Sequence, residues 1–221
     1  MNYSKKTIAA VCDHTLLKAT AGPGEIRTLC NEAITYQAAS VCVNSCYVRL
    51  AAELLQGSNV KTCCVVGFPL GAMSTASKVA ETKNAIADGA QEIDMVINVG
   101  MLLAGEHDYV CNEIHAVAEA AQGEIVKTII ETCYLNDDEK ILACELAVRA
   151  GAQFVKTSTG FGTGGATVSD VSLMKRAVGD RAKVKASGGI RTRSDTVTML
   201  EAGASRIGTG SMLKILEDFD N

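Results

Sequence analysis

The chain lacks the features that would mark it for nucleic acid, for a membrane or for a metal. No long basic run appears among its 21 Lys and Arg, which 25 Asp and Glu outnumber for a formal net charge of −4. Neither nucleic acid nor an anionic membrane is therefore expected as a partner. The apolar run that begins at Ile8 stops at Asp13, short of a signal segment or a membrane span, and a cytoplasmic protein is expected. His14, His107 and His115 are scattered, with no HExxH spacing and no Ser/His/Asp arrangement, so hydrolase chemistry has no support. The nine cysteines are an odd number spread along the whole chain, unlike a disulfide framework, and suggest a reducing compartment. Cys42 with Cys46, and Cys63 with Cys64, have no second pair to complete a tetrahedral metal site, so no metal is expected and both read as packing.

What the chain does have is regular alternation. Short β-rich runs at 10–16, 40–44, 60–68, 92–99, 124–132, 153–157, 182–186 and 206–209 are separated by segments of helical period. Ile26, Leu29, Cys30, Ala33 and Ile34 form one apolar stripe, and Ile141, Cys144 and Val148 another, with Asn136 and Glu139 spaced as an N-cap pair. Eight βα units in 221 residues fit a closed (β/α)8 barrel as one domain. A doubly wound sheet is the alternative. A recurrence supports repeated units: Gly89-Ala90, Gly151-Ala152 and Gly203-Ala204 each lead through three residues to Asp94, Lys156 and Gly208. If the units are equivalent, those three residues lie at matching heights on three strands.

Polar residues collect toward the C-terminal ends of the apolar strands, at Asp13, His14, Asn44, Asp94, Asn98, Lys127, Glu131, Lys156 and Lys185, which packing alone does not explain. Lys156 ends a strand and precedes a polar loop with a glycine. A buried lysine is costly unless paired or neutralised, and a neutral one is a nucleophile toward carbonyls. Should Lys185 on the next strand also point inward, the two ammonium groups would depress each other, leaving one free to form an iminium while Asp94 shuttles a proton. The alternative is a Lys-Asp-Lys charge network without chemistry. Separately, Ser187-Gly188-Gly189-Ile190 and Gly208-Thr209-Gly210-Ser211 follow the last two strands, where barrels frequently bind phosphate through backbone N–H groups. Tight βα turns would look the same.

Taken together, Asp13-His14-Thr15-Leu16-Leu17-Lys18, Gly67-Phe68-Pro69-Leu70-Gly71, Glu92-Ile93-Asp94-Met95-Val96-Ile97-Asn98, Phe154-Val155-Lys156-Thr157-Ser158-Thr159-Gly160-Phe161 and Lys185-Ala186-Ser187-Gly188-Gly189-Ile190-Arg191 resemble the deoxyribose-phosphate aldolase family over nearly the whole chain. The resemblance implies a single TIM-barrel aldolase domain over residues 1–221. The implied reaction is reversible cleavage of 2-deoxy-D-ribose 5-phosphate to D-glyceraldehyde 3-phosphate and acetaldehyde, in deoxyribonucleoside breakdown, without metal or organic cofactor. Carried over, Lys156 would form the Schiff base, Asp94 and Lys185 would transfer protons, and Asp13 and Lys127 would support them. Gly188, Gly189, Gly208 and Ser211 would belong to the phosphate pocket by loop position. Three features depart from the family pattern: bulky Met212 follows Ser211 where close backbone approach to the phosphate is expected, Ser45 stands where a proline commonly follows the Val-Asn pair, and the chain closes on Glu217-Asp218-Phe219-Asp220-Asn221 without the terminal tyrosine of some members. A homo-oligomer, dimer or tetramer, is expected. The residue trio by itself leaves open a transaldolase-like enzyme or a silent sugar-phosphate-binding barrel.

Overall fold

A computed structural model of the chain describes residues 3–219. Within them, eight parallel strands close into a barrel in sequential order. The strands are β1 (Cys12–Leu16), β2 (Ser40–Val43), β3 (Lys61–Val66), β4 (Glu92–Val96), β5 (Ile125–Ile129), β6 (Phe154–Lys156), β7 (Lys183–Ser187) and β8 (Arg206–Thr209). Around them run α1 (Lys5–Ala9), α2 (Pro23–Tyr36), α3 (Val48–Leu55), α4 (Thr75–Ala87), α5 (Val99–Leu103) and α6 (His107–Ala120). The shell is completed by α7 (Asp137–Arg149), α8 (Val168–Val178), α9 (Arg193–Glu201) and α10 (Met212–Glu217). The TIM barrel expected from the alternation is the fold observed, and the doubly wound sheet is excluded because β1 pairs with β8.

Several strands are shorter than their apolar runs. The run through 92–99 continues past Val96 because Asn98 caps α5 on the Met101 N–H, and the run through 124–132 ends early because Thr132 opens a 3-10 turn. Asn136 and Glu139 form the expected capping box at the start of α7. Two members of the expected stripes face solvent instead. Ile34 is 38% exposed and Ile141 is 37% exposed, while α7 buries Ala143, Cys144, Leu146 and Ala147.

The glycine–alanine recurrence is a structural repeat. After α4, α7 and α9 a glycine adopts positive φ (102° at Gly89, 92° at Gly151, 113° at Gly203). The alanine that follows donates to a carbonyl five residues back, as in Ala90 to Ala85, Ala152 to Ala147 and Ala204 to Met199. The next residue then donates to the preceding strand, at Thr62, Val126 and Val184. A fourth copy follows α2, where Gln37 takes φ 57°, Ala38 donates to Ala33 and Ala39 donates to Cys12. Every even-numbered strand is thus launched the same way. The residue five positions after each left-handed one is Cys42, Asp94, Lys156 or Gly208.

Alternation then sorts the side chains. Val41, Val43, Cys64, Val66, Ile93, Met95, Val126, Val155, Val184 and Ile207 face the helices and belong to one apolar core. Each such buried aliphatic contributes about 1.5–3 kcal/mol through area removed from water. The opposite face fills the barrel, and there the residues are unusual for this fold, whose interior is ordinarily branched aliphatic.

Candidate active site

Parallel pairing with a stagger of about one residue per strand stacks the interior in layers of four, from alternate strands. The lowest holds Ser40, Glu92, Phe154 and Arg206, the middle one Asp13, Cys63, Lys127 and Lys185, and the upper one Cys42, Asp94, Lys156 and Gly208. The matching heights expected for Asp94, Lys156 and Gly208 follow from this register, with Cys42 as the fourth member.

The charges in these layers form one network. Asp94 Oδ2 accepts from Lys156 Nζ at 2.7 Å and from Lys185 Nζ at 2.6 Å, while its Oδ1 accepts from Lys127 Nζ at 2.7 Å and from the Cys63 thiol at 3.2 Å. Asp13 meets Lys185, accepts from Arg206 Nη1 at 2.6 Å and from the Ser40 hydroxyl at 2.7 Å. Beneath, Glu92 pairs with Lys127 at 2.6 Å and with Arg206 at 3.2 Å. Every one of these carboxylates and lysines is buried, and an unpaired charge at such a depth would be strongly destabilising.

Environment fixes most of the protonation states. Burial alone would raise the carboxyl of Asp94, but Lys127, Lys156 and Lys185 overcome it and hold the group well below the carboxylate range. Asp13 is lowered in the same manner, by Lys185, Lys127 and Arg206 against burial. The expectation that paired lysines depress each other overlooks the carboxylates between them. Burial does press the Lys185 ammonium toward neutrality, yet Asp13 and Asp94 outweigh it and raise the group, so Lys185 stays charged. Lys127 is raised likewise, against burial, by Asp94 first.

The three lysines differ in company. Among the described residues Lys127 lies within ion-pair distance of Asp13, Glu92 and Asp94, and Lys185 of Asp13 and Asp94, whereas Lys156 has Asp94 alone. Lys156 is also the lysine of the three that borders the cavity above the barrel, a space of about 220 Å³. Four carbon–nitrogen cations face three carboxylates inside the barrel, so losing one ammonium proton balances the enclosed charge. Cys42, Cys63 and Asp94 bring potential ligand atoms within 4.8 Å of one another. Asp94's oxygens are already committed to three ammonium groups, so the donor set does not suit a metal cation.

The cavity walls come from the loops after β6, β7 and β8, with Leu17 and Lys18 from the loop after β1. Gly188, Gly189, Gly208 and Ser211 all border it. Gly188 and Gly189 have φ of 88° and 81°, which leaves their backbone free to face the space. Gly208 has a second task, since a Cβ there would stand 2.9 Å from Lys185 Cε and from Ser187 Cβ. Met212 is fully buried in the helix-facing core and does not crowd the pocket, contrary to what its size suggested, because α10 begins at this residue and turns it inward. Asp220 and Asn221, part of the tail singled out above, lie outside the described residues.

A DeoC/LacD family aldolase model matches residues 7–216. The chain belongs to this family. It is 57% identical over 218 residues to the deoxyribose-phosphate aldolase of Carboxydothermus hydrogenoformans, covering 97% of this chain and 96% of that one. With the enzyme of that name from Finegoldia magna it shares 58% identity over 205 residues, 93% of this chain and 96% of the relative. Among solved structures, a putative deoxyribose-phosphate aldolase from Coccidioides immitis superposes with a TM-score of 0.97 at 43% identity, covering 99% of this chain and 88% of that one. The tetrameric deoxyribose phosphate aldolase of Aeropyrum pernix superposes with a TM-score of 0.92 at 34% identity, over 99% and 93% of the two chains.

For this DeoC/LacD family member, reasoning from sequence passed over part of the site. Glu92 and Arg206 close the floor of the charge network, and both were within reach, since each stands two residues before an inward-facing position. Lys18 and Arg191 border the cavity as exposed cations and neither forms an ion pair among the described residues. No local pattern marked them, because their relevance depends on how two loops fold over the barrel mouth. His14 was counted among the strand polars, but it points out to α2 and hydrogen-bonds Glu32 at 2.7 Å.

Proposed function

We propose that the protein is a Schiff-base aldolase that reversibly cleaves 2-deoxy-D-ribose 5-phosphate into D-glyceraldehyde 3-phosphate and acetaldehyde, in deoxyribonucleoside breakdown. The observation that carries this reading is Lys156, a lysine held on one carboxylate and bordering a cavity that the Gly188-Gly189 turn, Gly208 and Ser211 also line. The names and close similarity of the relatives support the substrate.

The Lys156 amine adds to C1 of the open-chain sugar, and loss of water leaves an iminium. A base removes the proton of the C3 hydroxyl, the C2–C3 bond breaks, and its electron pair moves toward the iminium to give an enamine. Glyceraldehyde 3-phosphate leaves, C2 takes up a proton, and water releases acetaldehyde and the free amine. Asp94 accepts from both Lys156 and Lys185 through one oxygen, which suits it to exchange protons with Lys156 and the bound sugar while Lys185 keeps its charge. Lys185, kept charged by Asp13, supplies a fixed positive field beside the developing enamine, and Lys127 with Asp13 holds Asp94 in place. Lys18, Arg191, Ser211 and the N–H groups of the Gly188-Gly189 turn bind the phosphate.

Residues 1–221 act as a single catalytic domain that needs no metal or organic cofactor. The protein works in the cytoplasm, a reading in keeping with the absence, among the described residues, of any helix long and apolar enough to cross a membrane. It assembles as a homo-oligomer, dimer or tetramer, a reading favoured by the tetrameric Aeropyrum pernix relative.

Borohydride trapping with deoxyribose 5-phosphate, followed by peptide mass spectrometry, tests the reading. Stoichiometric labelling of Lys156 is expected. Folded protein that binds the sugar phosphate without labelling would instead be a silent binding barrel.

A further inference from the structure

Glu131 stands just beyond β5 with no part in the charge network, and its local structure is unusual in three ways. Its backbone is left-handed, φ 54° and ψ 68°, although it is not glycine. Its side chain is buried, 3% exposed, yet no Lys or Arg pairs with it among the described residues. Both its oxygens are given to one residue, Thr159, three positions after Lys156. The Thr159 N–H lies 3.1 Å from Oε1 and 3.3 Å from Oε2, and the Thr159 hydroxyl donates to Oε2. A strained backbone with a buried carboxylate persists where the surroundings over-determine it, and such places gather at functional sites.

The contact propagates. Having donated to Glu131, the Thr159 hydroxyl accepts from the Phe161 N–H at 3.0 Å, and the Phe161 ring packs edge-on against Phe68 at 5.2 Å. Further along, the loop presses back on Glu131, since a Cβ at Gly162 would lie 3.2 Å from its Cδ. The far end of the loop leans on the phosphate turn. Ala166 N–H donates to the carbonyls of Ser187 and Gly188 at 3.1 and 3.0 Å, and a Cβ at Gly165 would come within 2.3 Å of the Gly188 carbonyl oxygen. The β6–α8 loop is therefore a strap fastened to Glu131 at one end and to the Gly188 turn at the other, with Thr159, Gly160 and Phe161 forming cavity wall between.

We infer that Glu131 is a positioning residue that, through Thr159, fixes this strap so that the Gly188-Gly189 turn is shaped for the substrate phosphate. Among the described residues no side-chain hydrogen bond or ion pair joins it to Lys156, Asp94 or Lys185, so its loss falls on binding of the phosphorylated end and not on the bond-breaking step. This inference rests on the aldolase reading above.

The test is steady-state kinetics of the full chain with 2-deoxyribose 5-phosphate and with unphosphorylated 2-deoxyribose, on Glu131→Gln, Thr159→Val and the double variant, with melting curves to confirm folding. Glu131→Gln keeps the volume but sets an amide donor against donors. Each single variant should raise KM for the phosphorylated sugar roughly tenfold, the loss of a charge-assisted hydrogen bond, with kcat changed by less than about threefold. The double variant should be no worse than either single one, since both remove one contact. Thr159→Ser, which keeps the hydroxyl, should recover most of the KM lost in Thr159→Val. Should Glu131→Gln fail to fold, Thr159→Val reads the same contact from the loop side. Unchanged KM in a folded variant, or equal losses on both sugars, would overturn the inference. Absence of turnover by the unsubstituted protein would overturn the aldolase reading beneath it.

Discussion

The interior of the barrel and its mouth solve two recognition problems by opposite means. Inside, charged side chains carried on strands hold one another: Asp94 receives three ammonium groups, and of these lysines Lys127 and Lys185 are fully buried. At the mouth, glycine turns present backbone to the cavity, and the cations at hand, Lys18 and Arg191, are exposed and unpaired among the described residues. On the proposed aldolase reading, chemistry that depends on protonation state is placed where water cannot screen it, and binding of a phosphate, which must enter and leave, is placed where it can. Substitutions inside should therefore strike turnover and stability together, and substitutions at the mouth should strike affinity alone.

Lys156→Arg is the severest test of the interior. Guanidinium keeps the charge toward Asp94 but does not form an iminium at useful rates, so turnover should fall by on the order of 10⁴-fold or more. Appreciable residual activity in clean protein would remove Lys156 from its role.

Asp94→Asn should show the coupling of chemistry to stability. Leaving buried ammonium groups without their shared acceptor costs about 3–5 kcal/mol, and loss of the proton carrier about 10²–10⁴-fold in kcat. Because Asp13 and Asp94 are depressed in the fold, their stabilisation is fully present above the unfolded carboxylate value of about 3.9 and drains away as pH falls toward the folded values. Lys127 and Lys185 are raised, so their share is present below the unfolded lysine value of about 10.4 and fades only as pH rises through the folded ones. Melting temperatures should hold level from neutrality to mildly acidic pH and drop below about pH 4, with a shallower drop in Asp94→Asn. Equal acid limbs in both proteins would show that Asp94 is not held low.

Gly208→Ala sits on the boundary between the two regions. The added methyl meets Lys185 Cε and Ser187 Cβ at 2.9 Å, and overpacking of this kind costs about 1–3 kcal/mol. Displacing Lys185 should also lower kcat, by about tenfold if the strain is relieved at its side chain. An unchanged kcat with a raised KM would assign Gly208 to the phosphate pocket alone.

The mildest change is Lys18→Ala. An exposed cation screened by salt should raise KM by about threefold, and the difference should shrink as ionic strength increases. Salt-independent KM values would place the phosphate elsewhere in the cavity.

The same contrast decides how much could be read from the sequence. Period-two alternation fixes a strand residue's direction, and the Gly-Ala stop fixes its height, so Asp94, Lys156 and Gly208 could be aligned before any coordinates were seen. The fourth member of that layer, Cys42, escaped because Gln37 stands where the other three copies have glycine, and a left-handed glutamine leaves no compositional mark. Glu92 and Arg206 escaped for a lesser reason, as the alternation that turns Asp94 and Gly208 inward reaches them too. Loop residues obey no such rule. Met212 looked obstructive because it follows Ser211 in sequence, yet one turn of helix carries it into the core. The sequence marks Glu131 as a polar strand end and no more, because its contact with Thr159 exists only with β5 and β6 side by side.

Gly208 has a further meaning for how such a centre arises. A barrel layer normally needs four side chains to fill it, and here three are present while the fourth strand contributes a hydrogen atom. That quarter is taken by the Lys185 side chain from the adjacent strand, whose Cε would lie 2.9 Å from a Cβ at Gly208. Building a comparable centre on another eight-stranded barrel would begin with removing a side chain from one strand, so that a lysine on the neighbouring strand gains room to reach a carboxylate shared across the interior. Only then would the nucleophile stand in a fixed field of charge.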